Sequence, residues 1–288
     1  MTSFRNRAAN WGAGLLTAAL LLACAPAPSG QDRLIKALRE TRDSGPAPPG
    51  REPPPAAPFL SFRLRKAYPH DPQAFTQGLL FAGGYLYEST GLRGRSSVRK
   101  VELETGQVLQ MRSVAPEHFA EGLADWEGRL IQLTWLSGRA FCYDRETLRP
   151  LREFRYQGEG WGLTHDGRRL ILSDGSDRLS FRDPGSFAEL GRVEVRDRGL
   201  PVSQLNELEY IRGEVFANVW STDLIARISL QTGQVTGWMD LQGLRGQLPP
   251  GSEAEALNGI AFDPAENRVF VTGKLWPRLF EITLTEWP

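Results

Sequence analysis

Five times along this chain one short phrase returns: a polar or aromatic residue, usually Gly next, then Leu or Ile, with a hydrophobic strand ending a nearly fixed distance later. The phrases begin at Gln77 (QGL), Glu121 (EGL), Trp161 (WGL), Asn206 (NEL) and Asn258 (NGI), spaced 44, 40, 45 and 52 residues apart. That spacing suits one four-stranded propeller blade per unit. The expected fold is all-β, a five-bladed β-propeller.

The same repeat predicts where chemistry gathers. The strands YLYESTG, RLIQLTW, RLILSDG, EVFANVW and RVFVTGK end at Gly91, Trp135, Gly175, Trp220 and Lys274, 14 residues after the phrase begins in four units and 16 in the fifth. In an antiparallel hairpin the start of one strand and the end of the next share an edge of the sheet. All ten positions are therefore expected on one rim, where a carboxylate, an ammonium, three amides and three indoles converge. The fifth unit shows only three strands before Trp287 and Pro288, and a propeller must close its ring or leave edges exposed. The alternating segment from Phe59 to Tyr68 is expected to supply the outermost strand of the last blade.

The 288 residues carry 34 basic and 34 acidic side chains. With zero net charge and no basic stripe interleaved with aromatics, nucleic acid is not an expected partner. At the N-terminus Arg5 and Arg7 precede an apolar run from about Leu15 to Ala23, too short to span a bilayer. Residues 1–23 read as a secretory signal. Its end, Leu21-Leu22-Ala23-Cys24, resembles a bacterial lipobox, which implies acylation of Cys24; the other reading is an ordinary signal peptide with an incidental cysteine. Residues 24–58, rich in Pro, Gly, Ser and Ala, read as a tether, and 59–288 as the propeller domain. The expected protein is exported and periplasmic, attached to the membrane only through that lipid, and monomeric.

Only Cys24 and Cys142 exist, so a lipidated chain has no disulfide. Cys142, in the alternating strand RAFCYD, reads as a packed residue and not as a nucleophile. His70, His118 and His165 are scattered and lack zinc-ligand spacing, and neither G-x-S-x-G nor H-E-x-x-H occurs. No metal site and no cofactor is expected.

FTQGL with ESTG, FAEGL with LTW, GEGWGLT with SDGS, LNELEY with ANVW, and LNGIA with VTGKLWP together resemble the plant and bacterial type of glutaminyl-peptide cyclotransferase. The resemblance runs in order through residues 60–288 and implies a five-bladed propeller unrelated to the zinc-dependent animal enzyme. It also implies conversion of an N-terminal glutamine of peptides or proteins to pyroglutamate with release of ammonia. Glu121 matches the family's essential Glu and is expected to shuttle the proton. Lys274, matching at TGK, is expected to place positive charge where the oxyanion develops. Gln77 and Asn206 can both donate and accept, as recognition of a carboxamide requires. Trp135, Trp161 and Trp220 are expected to wall the pocket, with Phe75 facing it two residues before Gln77. Asn258 could instead shape the central channel. Glu88, Asp174 and Glu207 compete for the carboxylate role. A propeller module that binds peptide or carbohydrate without catalysis is the alternative from another class, distinguished by Glu121 and Lys274 on one rim. A calcium-dependent lactonase would need more carboxylates there.

Overall fold

The computed structural model describes residues 56–284. The signal segment, Cys24 and all of the tether before residue 56 lie outside the described residues. Five four-stranded antiparallel sheets form, one per repeat. Their first strands are Thr76–Ala82, Ala120–Trp126, Leu163–His165, Leu205–Ile211 and Leu257–Asp263. These innermost strands pack side by side around the ring axis. Glycine makes this possible: a Cβ on Gly78 would stand 2.5 Å from the Leu123 nitrogen, and one on Gly122 as close to that of Leu163. No side chain fits between backbones at that distance.

The inner strands of each blade are buried on both faces between neighbouring blades, whereas the outermost strands of blades 1, 2, 3 and 5 are largely exposed. Five apolar clusters result, one at each junction of adjacent blades. Leu80, Tyr87 and Val98 of blade 1 meet Leu123 and Leu130 of blade 2, for example, while Phe216 and Met239 of blade 4 meet Ile260 and Phe280 of blade 5. Cys142 is buried in the cluster between blades 2 and 3, where burial pushes its thiol pKa up. The largest fully buried side chains are Trp238 and Trp276.

Ring closure is made by the N-terminal strand. Phe62–Pro69 pairs antiparallel with Arg278–Leu284 as the fourth strand of blade 5. The pairing segment begins later than the expected Phe59, because the chain just before it docks on a different blade. Leu60 donates its N–H to the Trp238 carbonyl at 2.7 Å, and Trp238 donates to the Pro58 carbonyl at 2.8 Å. The segment thus clasps blade 4 and then blade 5. Two small additions interrupt the repeat: a hairpin of Arg196–Asp197 with Leu200–Pro201, and a one-turn helix, Gln242–Arg245.

Candidate active site

The phrase residues occupy irregular points of the inner hairpins. Pairing shifts register between Thr76 and Gly78, Ala120 and Leu123, Leu205 and Leu208, and Leu257 and Ile260. Gln77, Glu121, Asn206 and Asn258 each lie within one of these bulges, a device that re-aims a side chain out of the alternating pattern. Each hairpin is then closed across the rim by a backbone bond: Gly91 to Phe75, Trp135 to Phe119, Trp220 to Gln204, and Lys274 to Ala256. The nearly fixed offset in the sequence follows the length of that closed hairpin, longer by two residues in the fifth unit as the offset is.

Three of these bulge residues form a chain of side-chain hydrogen bonds. Asn258 Nδ2 donates to Gln77 Oε1 at 3.1 Å, and Gln77 Nε2 donates to Glu121 Oε1 at 2.9 Å. Glu121 is 5% exposed and Lys274 also 5%, so neither charge is a surface charge. Burial drives the Glu121 pKa well above the ordinary carboxylate value; Lys274 opposes that rise and Glu159 adds to it. Burial lowers the Lys274 pKa, against the pull of Glu121 and Glu255. The Lys274 ammonium lies over the Phe75 ring, 4.8 Å from its centroid.

Aromatic rings wall this mouth. Trp161 meets Trp220 edge to face at 5.8 Å, Phe119 meets Trp135 at 5.7 Å, and Phe75 meets Phe119 at 6.1 Å. Rim glycines seat two of them: a Cβ on Gly175 would collide with the Trp161 ring, and one on Gly91 with that of Phe119. Trp220 is 43% exposed and Trp135 and Trp161 are half-buried, unlike the core residues Trp238 and Trp276. Asn206 is buried, and its Oδ1 has no hydrogen-bond partner among the described residues.

Two residues of the mouth escape a reading of the phrases alone. Glu159 Oε2 accepts the indole N–H of Trp135 at 2.6 Å and that of Trp161 at 2.9 Å. Phe119 touches both Phe75 and Trp135. Each precedes its phrase by two residues, the same step that places Phe75, so that step applied to every unit would have found them.

The competing carboxylates are engaged elsewhere. Glu88 is buried inside blade 1, accepting from the Thr76 hydroxyl at 2.7 Å and lying 3.0 Å from His70 Nε2. Asp174 is exposed and closes its own turn by accepting from the Ser176 N–H and hydroxyl. Glu207 occupies the glycine place of its phrase and points into the axis, where it accepts the N–H of Leu79 at 3.2 Å and of Ile260 at 2.8 Å. His118 contacts Ser137 and His165 lies edge-on to Trp126. Among the described residues no group of three His, Cys, Asp or Glu side chains is placed to hold a metal ion.

Comparison with known proteins agrees with this fold. The family model for glutamine cyclotransferase matches residues 39–284. A glutaminyl-peptide cyclotransferase of Arabidopsis thaliana is 48% identical over 223 residues, covering 76% of this chain and 70% of that protein. The crystal structure of Myxococcus xanthus glutaminyl cyclase superposes with a TM-score of 0.73 at 41% identity, covering 79% of this chain and 98% of that one. With the family model matching residues 39–284 and a curated relative 48% identical over 76% of it, the chain belongs to the glutamine cyclotransferase family.

Proposed function

We propose that this mouth cyclises the N-terminal glutamine of peptides or proteins to pyroglutamate, releases ammonia, and does so without a metal. The observation that carries the reading is Glu121: a buried carboxylate held by Gln77 at 2.9 Å, with the Lys274 charge acting on it inside an aromatic-walled mouth. The neutral α-amine attacks the side-chain carboxamide carbon, forming the ring C–N bond and an oxyanion. Glu121 takes the proton from the ring nitrogen and returns it to the departing amide nitrogen, which leaves as ammonia when its C–N bond breaks. A pKa raised out of the usual carboxylate range suits a group that must both accept and release a proton. Lys274 supplies the positive charge toward which the oxyanion develops, effective because water is largely excluded. Asn206 Oδ1, buried and without a hydrogen-bond partner among the described residues, has the acceptor capacity to take a bond from the substrate carboxamide. The indoles pin the glutamine stem, and Glu159 fixes two of them.

Incubating the protein with a peptide that begins with glutamine tests this. Mass spectrometry should show loss of ammonia, and Glu121→Gln should retain peptide binding while kcat falls roughly 10²–10⁴-fold. Binding without ammonia loss in the unaltered protein would make it a non-catalytic module. Metal independence is supported by the lack of a ligand cluster among the described residues. Activity should survive dialysis against a strong chelator, and loss restored by zinc would refute that part.

Export and lipid attachment at Cys24 rest on the basic, apolar and lipobox-like run of the first 24 residues. Cys24→Ser should move the protein from the membrane fraction to the soluble one. A monomer is proposed because the exposed apolar residues are dispersed, with Leu109 and Met111 on blade 1, Leu151 on blade 2 and Leu190 on blade 3; light scattering that gives a dimer mass would refute it.

A further inference from the structure

Asn258 is fully buried between blades 5 and 1, and its side-chain nitrogen serves two acceptors: the Thr76 backbone carbonyl at 3.0 Å and Gln77 Oε1 at 3.1 Å. A backbone carbonyl can only accept, so the Thr76 contact fixes which end of the Asn258 amide is the nitrogen. The same nitrogen draws the Gln77 oxygen toward itself. Gln77 is left with its own nitrogen facing Glu121. Direction is therefore passed from a group that cannot change polarity, through two amides that can, to the carboxylate at the centre of the site.

We propose that Asn258 is a positioning residue for the cyclisation: acting through Gln77, it ensures that Glu121 always meets a hydrogen-bond donor and never an amide oxygen. This rests on the reading of Glu121 as the proton shuttle. With the Gln77 amide reversed, a carbonyl oxygen would face the carboxylate, and only protonated Glu121 could tolerate it. With the amide as observed, the donor favours the ionised form and opposes the effect of burial. The other titratable groups acting on Glu121 come from different elements: Lys274 at the end of the second strand of blade 5, Glu159 just before blade 3, and Tyr156 just after blade 2. None of them bonds to Asn258, so replacing it alters one contact of the carboxylate and leaves those three in place.

The experiment follows the carboxylic C=O stretch of Glu121 by infrared titration of the whole chain, assigned by its absence in Glu121→Gln, together with the pH dependence of kcat. Asn258→Ala should raise the Glu121 midpoint by about one pH unit, a tenfold change in proton affinity. On the acid side kcat should fall by about the same factor, while KM stays within about twofold. Gln77→Met should raise the midpoint similarly, and the double variant should show no further shift, because both substitutions break one chain. A purely structural role predicts a lower melting temperature with an unmoved midpoint, and that result overturns the proposal. Shifts that add in the double variant overturn it as well. Should Asn258→Ala fail to fold, Asn258→Ser, whose hydroxyl can serve only one of the two acceptors, must give a smaller shift in the same direction. Near-native kcat in Glu121→Gln would sink the shuttle reading instead, and the infrared midpoints would still decide whether Asn258 governs the carboxylate.

Discussion

Glu159 shows how much of this mouth depends on a residue that touches the substrate walls and not the reacting bond. One carboxylate oxygen receives two indole donors, and hydrogen bonds to a charged acceptor contribute about 1.5–3 kcal/mol each. Glu159→Ala should leave both rings free to turn, so KM is expected to rise at least tenfold, and the melting temperature should fall as the two bonds are lost. The charge has a separate effect. Because Glu159 pushes the Glu121 pKa up, Glu159→Gln should let it fall back toward the ordinary carboxylate range. The acid limb of kcat then moves to lower pH, the opposite direction from Asn258→Ala. Unchanged KM in the alanine variant, or an acid limb that does not move in the glutamine variant, would remove Glu159 from the site. In the sequence Glu121 and Lys274 stood out because each occupies a repeated rim position. Glu159 stands two residues ahead of its phrase, outside the ten positions marked by phrase starts and strand ends, in the connection leading into blade 3, whose first strand starts only at Leu163.

At the scale of the element, hairpins were legible and the clasp only in part. A hairpin is a local object, and its closing bond across the rim turns a spatial constraint into a nearly fixed sequence offset. The bulges were hidden, because a register shift changes the pairing without changing the pattern of apolar residues. Alternation also ran on through Phe59 to Tyr68 with no mark of where the chain leaves blade 4 for blade 5. Leu60 makes that first docking tangible: it is buried, and a Cβ on Gly237 would press into it. Leu60→Ala should cost about 2–3 kcal/mol through the cavity left behind, lowering the melting temperature by roughly 5–10 °C. Removing the whole of Phe62–Pro69 should do far more, because the backbone of Arg278–Leu284 would become an open sheet edge prone to aggregation. A melting temperature unaffected by that deletion would mean the ring does not depend on its N-terminal strand.

Across the whole molecule, the axis of the ring is where blade 4 breaks the repeat. The other four phrases put Gly at the second position, or use it to let backbones meet, whereas blade 4 puts Glu207 there and bonds its carboxyl to blades 1 and 5 at once. Two residues further on, Glu209 accepts from the Phe262 N–H at 2.9 Å and from the Thr164 hydroxyl, bracing blade 4 against blades 5 and 3. It lines a cavity of about 520 Å³ formed by the far ends of the innermost strands, at the mouth opposite Glu121. Burial raises the Glu209 pKa to about 8, and its hydrogen bonds only partly offset that. A carboxyl whose folded pKa lies above its ordinary value of 4.5 contributes its full stability below pH 4.5, and that contribution is lost as pH rises through about 8. Glu209→Gln keeps an oxygen for Phe262 and can donate to Thr164, but it has no proton to lose. The variant should therefore match the parent near pH 5 and grow more stable than it as pH climbs to 9, with the difference opening across that window. Glu207, whose pKa is also pushed up by Glu209, should ionise more easily in the variant, which limits the destabilisation left at high pH. Melting curves recorded from pH 5 to 9 decide the matter. Parallel pH profiles for the two proteins would mean that Glu209 is already ionised in the fold and that the second mouth of the propeller carries a negative charge.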